Sequence, residues 1–171
     1  MDAATAAEPM AVIEESLPLV SRCPGPPPEN VPHWLLALSA DERTRLRGQR
    51  RSLCDRSLLL QLERGAPLMP GEWLHGDGPD SAWVQVIAAP EPVLLVRAPS
   101  PQALLQAAYH LGNRHVAMEI QADELRLLED PVLARMLELR GLTIERVEAP
   151  FHPEGGAYGG HGDAHSHSHE P

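Results

Sequence analysis

Two segments of this chain follow one plan, and their spacing restricts the fold more than any other feature. In each, a capping residue and a proline are followed, about ten residues on, by glycine: Ser100-Pro101 to Gly112, and Asp130-Pro131 to Gly141. Serine or aspartate can accept the first free helical N–H groups, and proline at the first helical position gives up an N–H that has no partner there anyway. Glycine suits the left-handed residue that closes a helix. Leu104, Ala107, Ala108 and Leu111 supply an apolar stripe in the first segment, and Val132, Leu133, Met136 and Leu137 supply one in the second.

Strand-like runs surround both. Val93 to Ala98 reads as a buried strand. Val116, Met118 and Ile120 alternate with Ala117 and Glu119 as a half-buried one. A tight turn near Ala122-Asp123 leads into Glu124 to Glu129, which pairs back as a hairpin, and Thr143 to Val147 is the last strand. The order strand, helix, strand, strand, helix, strand predicts a ferredoxin-like domain over residues 93–153, with two helices on one face of a four-stranded antiparallel sheet.

The remainder predicts an α+β protein with two further parts. Residues 1–92 read as a small β-rich domain: Ser57 to Leu62 and Trp83 to Ala88 are strand-like, and Pro70-Gly71, Gly76-Asp77-Gly78 and Pro90-Glu91-Pro92 are turn signals. The Pro-rich run 23–32 is a loop. Residues 154–171 are Gly, His, Ser, Asp and Ala with a single Tyr158, too few apolar groups to offset ordering entropy, so a disordered tail is expected.

Composition excludes several functions. No lysine occurs, all 14 basic side chains being arginine, so a lysine-dependent phosphate loop or Schiff base is impossible. A net charge of −10 argues against nucleic-acid or anionic-membrane partners. No apolar run approaches a membrane span, and the first residues lack the pattern of a signal peptide, so a cytoplasmic protein is expected, with Cys23 and Cys54 as free thiols. The motifs of zinc peptidases, serine hydrolases and phosphate-loop nucleotidases are absent, so the chain does not read as an enzyme.

Histidine is the chemical signal. Four of the 9 histidines, His161, His165, His167 and His169, lie at the C-terminus, and alternate imidazoles there suit capture of Ni(II), Zn(II) or Cu(II). His115 is expected at the mouth of the Val116 to Ile120 strand, on the face opposite the helices, as a metal ligand or a surface histidine. His110 lies in the last turn of a helix, where positive charge stabilises the dipole, with metal binding a lesser role. The arginines 43, 45, 47, 50, 51 and 56 form the one basic concentration, equally readable as a docking patch for an acidic partner or as a solvated face.

The run Tyr109-His-Leu-Gly-Asn-Arg-His115-Val116 resembles the UreE family of urease accessory proteins. Further likeness follows at Glu124-Leu-Arg126, Gly141-Leu142, Pro150-Phe151, Pro153-Glu154 and Gly156-Ala157-Tyr158, and precedes it at Leu38 to Arg43, Arg64-Gly65 and Ala88 to Glu91. The resemblance implies an N-terminal domain similar to a chaperone peptide-binding domain, then a metal-binding domain that forms a homodimer. It also implies that His115 of each subunit holds one shared Ni(II), which passes to the urease accessory GTPase and the urease apoprotein complex. Where some members carry His-x-His at the second helix, this chain has Glu129-Asp130-Pro131. The readings that compete are a general divalent-metal storage or interaction protein and, further off, a metal-dependent hydrolase.

Overall fold

In a computed structural model the described residues are 16–77, 81 and 83–155. They form two units with separate apolar cores. The first contains β1 (Leu17–Leu19), β2 (Ser21–Cys23), β3 (His33–Leu38), α1 (Ala40–Thr44), β4 (Arg47–Arg51), β5 (Ser57–Gln61), β6 (Trp73–His75) and β7 (Trp83–Ala88). One sheet has the order β1-β5-β4 and the other β2-β6-β7-β3. Period-two alternation turns Leu58 and Leu60, Leu36 and Leu38, Val84 and Val86 inward, where Leu19, Leu68 and Leu74 join them in one core. The proline run spans 24–32 between β2 and β3, the edge strands of one sheet, and Cys23 belongs to β2. Both cysteines are free thiols.

The second unit contains β8 (Pro90–Arg97), α2 (Pro101–Gly112), β9 (Glu119–Ile120), β10 (Glu124–Leu128), α3 (Pro131–Glu138) and β11 (Thr143–Pro150), with sheet order β11-β8-β10-β9. Every pairing in it is antiparallel. The register Val96↔Leu125 and Leu94↔Leu127 stacks those four side chains on the helix side, against Ala107, Leu111, Ala134 and Leu137. Ser100 Oγ accepts Ala103 N–H at 3.2 Å, and Asp130 Oδ1 accepts from Val132 N (2.7 Å) and Leu133 N (2.9 Å), so both expected caps form.

Several expectations change. Pro90-Glu91-Pro92 is not a turn but the start of β8. Pro92 O accepts Glu129 N–H at 2.9 Å, so the two prolines face the β10 side, where the pairing of β10 stops at Val93 and no ladder bond needs their missing N–H. Only Glu119–Ile120 of the expected Val116 to Ile120 strand is a strand. Ile120 stands opposite Leu125 but on an edge strand, and it is 53% exposed, whereas Glu119 is buried. On α3, Val132 points to solvent and Ala134 takes its expected place in the core. Arg43 leaves the arginine cluster altogether: it is buried between the units.

A single residue, Ala89, separates β7 from β8, and its N–H donates to Leu38 O at 2.9 Å. Ala40 N–H donates to Glu91 Oε1 at 2.7 Å, and the Arg43 guanidinium donates to Phe151 O. Among the described residues no helix is long and apolar enough to cross a membrane.

Candidate functional site

His115 sits in the turn that ends α2, not on a strand. Its N–H donates to Gly112 O (2.9 Å) and Val116 N–H donates to Leu111 O (3.2 Å). Those two bonds, with a left-handed residue at the first of them, make a Schellman cap. The left-handed residue is His115, at φ 56°, and Gly112 is an ordinary helical residue, contrary to its expected closing role. The second helix ends with the same pair of bonds, Gly141 N to Glu138 O (2.9 Å) and Leu142 N to Leu137 O (3.2 Å), with Gly141 at φ 80°. Two like turns therefore close the two helices, and one uses histidine where the other uses glycine. In each, the residue after the cap (Val116 or Leu142) packs into the core, which fixes the turn.

The imidazole of His115 is thereby displayed, exposed, on a backbone held from both sides. His110 lies half-buried one turn back; its carbonyl accepts from Arg114 Nη1 at 2.9 Å and its ring meets that of Tyr109 edge-on at 5.6 Å. Leu105 and Tyr109 follow each other at i, i+4 on the same helix and are 72% and 67% exposed, so an apolar stripe leads to the His115 turn. Among the described residues no three metal-ligating side chains come together. His161, His165, His167 and His169 lie outside the described residues.

The root of the tail does lie within them. β11 and β9 are opposite edges of the sheet, and the chain crosses the end of the sheet between them. Phe151, the one phenylalanine of the sequence, is fully buried at that crossing. His152 N–H then donates to Glu119 Oε2 at 3.0 Å and Glu154 N–H to Met118 O at 2.8 Å. The tail thus departs beside Met118, which is three residues in sequence from His115. From Glu154 to His165 the backbone spans at most about 36 Å, and Met118 to His115 at most about 11 Å, so tail imidazoles are within reach of that turn. Sequence reasoning missed Glu119 and Phe151. Its only available signal was a lone aromatic directly before the His-Pro step.

The sheet face opposite the helices carries an alternating ionic chain. Arg126 bonds Glu124 (Nη2–Oε1 2.7 Å) and approaches Glu119 (3.5 Å); Arg97 joins Glu124 (2.7 Å) to Glu145 (3.0 Å). Burial acts to raise the Glu124 carboxyl pKa, but the two guanidinium partners outweigh it and hold it below the usual carboxylate value.

A paired-layer α+β chain that displays one exposed imidazole on a left-handed helix cap, and has four further histidines among its last eleven residues, has the make-up of an accessory chaperone rather than an enzyme. The profile of the UreE urease accessory protein C-terminal domain matches residues 91–171. The urease accessory protein UreE of Parasynechococcus marenigrum is 58% identical over 127 residues, covering 74% of this chain and 84% of that protein. Those of Microcystis aeruginosa (48% over 149 residues, 87% and 92%) and Thermosynechococcus vestitus (50% over 143 residues, 84% and 98%) match over more of the chain. The chain belongs to the UreE family of urease accessory proteins, and its role is that of an accessory chaperone in urease maturation.

Proposed function

We propose that this protein is a cytoplasmic nickel metallochaperone that works as a homodimer, with one Ni(II) held between the His115 imidazoles of two copies and completed by water and by tail histidines among His161, His165, His167 and His169. The observation that carries this reading is the His115 turn: an exposed imidazole on a costly backbone, belonging to no group of three potential metal ligands among the described residues. Two-fold symmetry supplies the missing ligand, because an isologous interface brings the same residue in from each side. The exposed Leu105 and Tyr109 stripe, ending beside that turn, offers apolar surface for the pairing. Residues 93–153 are read as the ferredoxin-like metal-binding domain, and residues 1–92 as a peptide-binding-like domain.

Delivery sets a chemical condition. A carrier that must release its ion holds it by few, exchangeable ligands, and imidazole is a borderline donor suited to Ni(II) and also to Zn(II) and Cu(II). The receiver is the urease accessory GTPase with the urease apoprotein complex.

Nickel titration of the full chain, with molar mass measured alongside, tests the proposal. One tight ion per dimer is expected, abolished by His115→Ala, while truncation after Tyr158 lowers total stoichiometry and spares that ion. A storage protein would instead lose its binding with the tail and keep it in His115→Ala. Turnover of a substrate by purified protein would favour a hydrolase.

A further inference from the structure

We propose that the cavity at the junction of the two units, far in kind from the imidazole site, binds a carboxylate. It encloses about 590 Å³, and its lining includes the charged Arg43, with His152 and the apolar Leu68, Met69 and Pro153. Arg43 comes from α1, and only 4% of the residue is exposed. A buried cation is normally matched by a carboxylate, because leaving it unmatched in a poorly polar setting is costly. This one is not. Its Nη2 donates to Phe151 O and its Nε to Ser39 O (3.4 Å), both neutral carbonyls. Glu91, the acid that acts on it, is occupied by Ala40 N–H at 2.7 Å and forms no ion pair with it.

One of its nitrogens is left over. Nη1 of Arg43 makes no hydrogen bond among the described residues, yet it is not sealed in: the sealed donor without a partner there is Arg50 Nε. Nη1 therefore opens on the cavity its side chain lines. Burial lowers the guanidinium pKa, with Glu91 opposing, which is the signature of a cation short of negative charge. Glu154 also lines the cavity, but its backbone is fastened to Met118 O and it makes no ion pair with Arg43.

The ligand class follows from the lining. A guanidinium edge takes a carboxylate through charge-assisted hydrogen bonds, and Leu68, Met69 and Pro153 take a small branched apolar group beside it. Such chemistry is offered by a free short-chain acid or by the C-terminus of a peptide ending in an apolar residue.

Saturation-transfer and chemical-shift NMR on the full chain decide the matter, with isovalerate, isovaleramide, N-acetyl-Leu-Leu and its C-terminal amide as probes. Both acids are expected to bind, to perturb the His152 resonances, and to do so about tenfold or more tightly than their amides. Arg43→Met, which keeps bulk without charge, is expected to erase that preference. Tighter binding of the peptide than of isovalerate assigns the site to a chain terminus; equal binding assigns it to small acids. Equal affinity for acid and amide in the wild-type protein overturns the proposal even where Arg43→Met does not fold. So does a folded Arg43→Met protein that still prefers the acids.

Discussion

His115 holds a left-handed backbone that costs a residue bearing a Cβ about 1–2 kcal/mol, in a turn where Gly141 fills the matching place without that cost. Replacing the imidazole by alanine keeps the penalty, and replacing it by glycine removes it. His115→Gly is therefore expected to melt later than His115→Ala, with a stability difference of about 1 kcal/mol by denaturant unfolding. Gly141→Ala is expected to lose about the same amount, for conformational reasons alone, since a Cβ there meets nothing within 4 Å. Gly112→Ala, also without steric conflict but in helical backbone, is expected to gain about 0.5–1 kcal/mol. These three outcomes separate the true cap from the apparent one. Reading the chain, Gly141 was legible as a helix stop because glycine is the usual occupant. Gly112 misled for the same reason: the helix runs one residue-turn further and stops on a histidine, and no local pattern announces that.

At the scale of elements, both helices and the hairpin were readable because caps, prolines and alternation are local signals. Asp130→Ala is expected to cost about 1 kcal/mol or more, since one carboxylate satisfies two helical N–H groups. What was not readable is the charge chain across β9, β10, β8 and β11, because it depends on register between strands distant in sequence. In that chain Glu124, whose side chain is 7% exposed, is bonded by arginines from two strands. Its folded pKa lies below its ordinary value, so its contribution to stability is complete above the ordinary carboxylate range and is lost as pH falls through the folded value. Unfolding titrations are expected to show a stability decline beginning below about pH 5. Glu124→Gln is expected to lower stability at neutral pH by about 1–3 kcal/mol and to flatten that decline. The short β9 has a similar cause: Val116 finishes the helix cap, and Met118 spends its carbonyl on Glu154 instead of on a strand.

Across the whole molecule, the two cores are separate, and the Ala40–Glu91 and Arg43–Phe151 hydrogen bonds cross the joint between them. Leu105 and Tyr109, on α2, are among the most exposed apolar side chains of the described residues. Placing charge there by Leu105→Asp with Tyr109→Asp is expected to shift molar mass from dimer to monomer by light scattering. The tight nickel is expected to go with it, although His115 is untouched. Nickel added to wild type is expected to raise the melting temperature, by about 2.7 kcal/mol of added stability at a hundredfold excess over Kd. The proposed symmetry partner comes only from family resemblance; the sequence of one copy shows a single His115 and cannot show its twin. The turn that presents this histidine is closed by hydrogen bonds wholly within one copy. On the proposed reading, loading and unloading are then exchanges of water and imidazole at the ion over a stationary scaffold, with handover speed governed by substitution at nickel rather than by any refolding of the carrier.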